Sequence, residues 1–106
     1  MGTLEFVKLV NFSTIQEAIS AYRKKNYEIT ALELTNRSIS LETYQPNIKV
    51  ALIVGNESLG ISEETLKICD KVVEINMHGI KNSLNVSNAT AIAIYNIINK
   101  MEGKYD

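Results

Sequence analysis

Cysteine, histidine and proline each occur once in these 106 residues, and cationic and acidic side chains nearly cancel. Each shortage excludes something. One cysteine, Cys69, cannot make an intrachain disulfide or a cysteine-based zinc site, and reads as a small buried thiol at a helix end. One histidine, His78, excludes a multi-histidine metal site, so it reads as a loop residue and no metal is expected. Eleven Lys and Arg against 12 Asp and Glu leave a formal net charge of −1, so the chain as a whole projects no basic field. Any contact with RNA must come from a local patch or a second subunit. No apolar run approaches the roughly 20 residues that cross a bilayer, and the N-terminus has no signal-peptide pattern. No membrane partner is expected, and the expected compartment is the cytosol. A hydrophobic content of 45% with 22% charged residues is that of a globular chain. The length fits a single domain, residues 1–106, with one core and little to spare.

Periodicity then sets out the elements. Residues 5–10 (EFVKLV) read as a strand. Ser13 followed by Gln16 makes a capping box, and Ile15, Ala18, Ile19 and Tyr22 fall on one helical face, which predicts a helix to about Lys25. Residues 27–34 (YEITALEL) read as a second strand, and the polar stretch from Thr35 to Asn47, with Pro46, as a long connection. The run 49–55 (KVALIVG) is apolar, β-branched and closed by glycine, the pattern of a strand buried on both faces. Ser62 caps a short helix with Glu63 and Glu64 in its first turn, where the helix dipole favours acids. Residues 71–75 (KVVEI) are a further strand, and the last helix runs from about Asn85 to Met101. Strands alternating with helices predict an α/β fold with a parallel sheet. Four strands make a narrow sheet, and the chain opens almost directly on one of them, which points to structure missing upstream.

In open α/β sheets ligands bind at the carboxyl ends of the strands, and three loops leave those ends here: 33-ELTN, 55-GNESLG-60 and 76-NMHGIKNSLN-85. Gly55 and Gly60 bracket a tight turn in which a missing Cβ lets backbone approach a ligand. The turn lacks the lysine and hydroxyl residue of a phosphate loop. Ser83, His78 and Glu57 lack the spacing of a nucleophile elbow, which argues against a hydrolase. Arg23, Lys24 and Lys25 read as a solvated helix terminus, and Lys81 as the better candidate for a phosphate contact.

Two segments together resemble a known family. The stretches 50-VALIVGNESLGIS-62 and 74-EINMHGIKNSLNVSNATAIAIY-95 look like the second and third motifs of the SpoU family of RNA 2'-O-ribose methyltransferases, in the SPOUT superfamily. The resemblance implies a mostly parallel α/β sheet with a C-terminal trefoil knot, an exception to unknotted topology. It implies S-adenosyl-L-methionine as cofactor, held largely by backbone groups near Leu32 and Glu33, at Gly55 and Asn56, at Ile75 and Met77, and at Ser83, Leu84 and Asn85. Glu57, Ser83 and Asn85 match the family's polar positions around cofactor and target nucleotide, and Lys81 is the RNA-contact candidate. Partners implied are tRNA or rRNA and a second copy of the chain, docked through the C-terminal helix.

Two departures from the family pattern stand out. Asn76 occupies the usual proline position after Ile75. The family's first motif, an Asn followed by an Arg on an upstream helix, has no counterpart, so the fold is expected to be N-terminally truncated. Arg23 and Arg37 are the only arginines, and neither sits in that context. The function that the resemblance implies is methylation of a ribose 2'-hydroxyl, with the missing motif leaving open whether this chain performs it. The alternatives are a non-catalytic cofactor-binding or dimerisation module and a subunit that needs a second chain to supply the arginine.

Overall fold

A computed structural model of the chain describes residues 2–8, 12–33, 35–55, 60–75 and 86–105. Along the chain these form β1 (Thr3–Lys8), α1 (Phe12–Lys24), β2 (Glu28–Leu32), β3 (Ile39–Ser40), β4 (Lys49–Val54), α2 (Glu63–Ile68), β5 (Lys71–Glu74) and α3 (Val86–Tyr105). The strands make one sheet in the order β1-β4-β2-β5-β3, with every adjacent pair parallel. The α/β class with a parallel sheet is thus as expected, but the expected four strands are five among the described residues. β3 is a two-residue strand inside the stretch read as a connection, too short to show alternation. The first strand also begins two residues before the expected Glu5.

Side-chain alternation divides the sheet into two cores. On β4, Ala51 and Ile53 face the layer of α1 and α2, joining Ile15, Ile19 and Leu66. Val50, Leu52 and Val54 face the opposite side, against Ala93, Ile97 and Met101 of α3. A strand covered by helices on both faces needs the continuous apolar run that residues 49–55 carry.

Local chemistry sets the ends of the helices. α1 stops at a Schellman motif: Asn26 takes a left-handed φ of 69°, Asn26 N donates to Arg23 O and Tyr27 N donates to Tyr22 O. α2 begins as expected, with Ser62 Oγ accepting from Thr65 N at 3.2 Å. At its other end Cys69 is half-buried, with Sγ donating to Thr65 O. Burial first, then the Asp70 carboxylate, pushes the Cys69 thiol up to about 11, so it is no nucleophile at neutral pH.

The segment after β3 belongs to the core rather than to a surface connection. Leu41 and Tyr44 are buried under α3, and Lys100 Nζ donates to three carbonyls there: Leu41 O at 2.5 Å, Tyr44 O at 2.8 Å and Glu42 O at 3.2 Å. Lys100→Met keeps the aliphatic stem but leaves those carbonyls without their donor, at an expected cost of about 1–3 kcal/mol. Thermal unfolding checks this, and an unchanged midpoint would show that the clamp contributes nothing.

Candidate active site

Parallel pairing brings the strand ends to one level. Val54 lies opposite both Lys8 and Leu32, and Leu32 lies opposite Val73. The residues that leave the sheet just beyond this level are Glu33 after β2, Gly55 after β4 and Ile75 after β5. These three strands are consecutive in the sheet, so their exits make one continuous rim. Among the described residues, Leu32, Glu33, Gly55 and Ile75 are the predicted cofactor contacts, and all four lie on that rim. Asn56, Glu57, Met77, His78, Lys81, Ser83, Leu84 and Asn85 lie outside the described residues.

The rim is knit by contacts between its loops. Glu33 N donates to Val73 O at 2.9 Å, and the Glu33 carboxylate accepts from Ile61 N at 2.8 Å. The carboxylate therefore anchors the chain entering α2, across 28 residues of sequence. Beyond it, Ser38 Oγ lies 2.8 Å from both Glu74 Oε1 and Thr35 O, with one proton to give to either, and ties the turn after β2 to the end of β5.

The glycine turn proves to be packed against itself. A Cβ on Gly55 would run into the carbonyl carbon and oxygen of Gly60 and come within 2.7 Å of its Cα. Gly60 has φ +67°, and a Cβ there would lie 2.6 Å from Glu33 Oε2. The missing side chains make room for the Gly60 backbone and the Glu33 carboxylate, which is the plain turn geometry that the glycine spacing favoured on its own. Glu33 as an anchor was not foreseen, because nothing local in sequence joins it to Ile61. No group of His, Cys, Asp or Glu among the described residues could hold a metal ion. No helix among them is long and apolar enough to cross a membrane.

Comparison with known proteins decides the family. The model of the SpoU rRNA methylase family matches residues 1–95. The chain belongs to this family. It is 33% identical over 101 residues to the tRNA (guanosine(18)-2'-O)-methyltransferase of Borreliella burgdorferi, covering 95% of this chain and 46% of that enzyme. It matches the crystal structure of the Aquifex aeolicus TrmH/SpoU tRNA modifying enzyme with a TM-score of 0.71 and 33% identity, over 85% of this chain and 45% of that one. The AdoMet-bound rRNA methyltransferase from Sinorhizobium meliloti shares the fold, with a TM-score of 0.67 at 24% identity over 78% of this chain and 32% of that one. The SpoU-family chain thus spans about half the length of the two relatives that share a third of its residues.

Proposed function

We propose that this SpoU-family chain takes part in S-adenosylmethionine-dependent methylation of a ribose 2'-hydroxyl in tRNA or rRNA. The observation that carries the reading is the rim. Three adjacent strands end within one residue of the same level, and Glu33, Gly55 and Ile75, which with Leu32 match the family's cofactor positions, leave the sheet there. Half-buried Leu32 and Ile75 suit a ligand with an apolar body. S-adenosylmethionine would supply an activated methyl group on a sulfonium sulfur. The protein's task is then to orient the attacking oxygen and to take up its proton. Ser83, Asn85 and Glu57 are the groups proposed for that task, with Asn56, Met77 and Leu84 completing the cofactor wall and Lys81 meeting phosphate. The C-terminal trefoil knot implied by the family motifs belongs to the same proposal, since the wall and α3 are continuous in sequence.

A homodimer through α3 is part of the reading. Ala93, Ile97 and Met101 use one face of α3 for the sheet. The outward face still carries Ile92 at 44%, Tyr95 at 73% and Ile98 at 39% exposure. On the same helix, Asn96 Oδ1 is buried with no hydrogen-bond partner among the described residues. A second copy would cover the apolar residues and could supply a donor for that oxygen.

Calorimetry with S-adenosylmethionine is expected to show saturable binding, and a folded chain that binds none would refute the reading. Asn85→Ala is expected to weaken binding or transfer tenfold or more without unfolding, by loss of at least about 1.4 kcal/mol. Transfer of a labelled methyl group to tRNA or rRNA tests activity. The first family motif is absent from these residues and the chain spans 46% of the Borreliella burgdorferi enzyme. Binding without transfer would therefore identify a cofactor-binding module, or a subunit completed by another chain's arginine.

A further inference from the structure

The opposite edge of the sheet, where the strands begin, collects positive charge that the sequence scatters. Six of the eleven Lys and Arg come from four places: Arg23, Lys24 and Lys25 at the end of α1, Lys49 opening β4, Lys67 in the last turn of α2 and Lys71 opening β5. Contacts draw these together. Lys49 Nζ donates to Lys25 O at 3.1 Å and sits 5.6 Å above the Tyr27 ring, which packs edge-on against Tyr22. Arg23 reaches across to the α2–β5 junction, donating to Ile68 O at 2.6 Å and to Asp70 Oδ1 at 3.2 Å.

The two acids on these turns and strand starts are already engaged. Asp70 receives Arg23 and the Ile29 N–H, and Glu28 accepts from the buried Tyr44 hydroxyl. The remainder of the chain carries five cations against ten acids, so the charge is sorted, not merely present. Lys24, Lys25, Lys67 and Lys71 are exposed, and a shallow groove lined by Ser13, Gln16, Glu17, Ser20, Lys24 and Lys25 leads from this edge along α1.

We propose that this amino edge is a second RNA-docking surface, which grips the phosphate backbone of the substrate RNA remote from the nucleotide at the cofactor rim. The surface rests on the RNA reading above. Phosphate contacts need mobile cations and no base-reading geometry, which is what exposed lysines beside hydroxyls and a tyrosine pair provide. In a chain with net charge −1, a local gathering of cations is what lets one surface attract a polyanion.

The test is fluorescence anisotropy of a labelled tRNA transcript with the 106-residue chain, across a salt series. Combined Lys24→Gln, Lys67→Gln and Lys71→Gln is expected to weaken binding at least about tenfold and to reduce the slope of log K against log salt by about 2. Arginine at the same three positions should restore both. Affinity for S-adenosylmethionine should not move. Unchanged RNA affinity and slope in the glutamine variant would overturn the proposal, as would a wild-type chain that binds anionic phospholipid vesicles but no RNA. RNA held through this edge without any methyl transfer would leave the surface standing and count against the catalytic reading. Transfer with undiminished RNA affinity in the variant would do the reverse.

Discussion

Gly55→Ala is expected to lower stability by about 1–3 kcal/mol and to weaken S-adenosylmethionine binding roughly 10- to 100-fold. The added methyl group meets backbone, not a side chain that can swing away: Gly60 Cα would lie 2.7 Å from it, with the Gly60 carbonyl closer still. Relief requires Gly60 to move away from Gly55. That movement pulls on Ile61, whose N–H is held at 2.8 Å by Glu33 on the neighbouring strand end. Two of the three rim loops would then shift together, so a substitution of one methyl group should reach the cofactor. Gly60→Ala makes an informative contrast. Its new methyl group meets the movable end of the Glu33 side chain, but a φ of +67° costs an L-residue about 1–2 kcal/mol. That variant should lose stability through backbone strain and lose less affinity than Gly55→Ala. Thermal unfolding and calorimetry on both variants are the measurements. A Gly55→Ala protein with wild-type melting and wild-type affinity would remove the turn from the site.

How far the sequence is legible depends on how local the determining contact is. The buried strand at residues 49–54, the Ser62 cap and the Ile15–Ile19 helix face were readable because the pattern and its cause lie within a few residues. β3 and the Leu41–Tyr44 segment were not, since two apolar residues in a polar stretch gain meaning only beneath α3. The same division runs through the rim. Leu32, Glu33, Gly55 and Ile75 were picked out by motif and strand-end logic, and they lie on one rim. That Glu33 anchors Ile61, and that Gly55 is crowded by Gly60, depend on loops meeting in space. The basic edge escaped for a related reason. Residues 23–25 alone read as a solvated helix end, and only the fold sets Lys49, Lys67 and Lys71 along the same edge.

Tyr44→Ala is expected to be the most damaging single truncation away from the rim, at about 3–5 kcal/mol. Tyr44 is 1% exposed, the largest side chain buried so completely among the described residues, and it packs with α3 and the sheet in one core. Its hydroxyl donates to Glu28 Oε1 at 2.5 Å and lies 2.9 Å from Thr30 Oγ1, which is itself fully buried. Tyr44→Phe keeps the ring and removes only the oxygen, leaving Thr30 Oγ1 and Glu28 Oε1 with the longer contacts of 3.5 Å to each other and 3.4 Å from Asn47 N to Glu28, and should cost about 1–3 kcal/mol. The polar part has a pH signature. Burial, then the hydrogen bond to Glu28, raises the Tyr44 phenol far above its ordinary value of about 10. A group that holds its proton more tightly when folded stabilises the fold fully below the unfolded value and loses that contribution as pH rises past it. The stability gap between wild type and Tyr44→Phe should therefore be constant up to about pH 9 and shrink above about pH 10. The other tyrosines are common to both proteins and cancel in the difference. Denaturant unfolding at pH 8 and again near pH 11 measures the gap directly. A gap that does not narrow would mean that the buried hydroxyl is not the group that couples this core to protons.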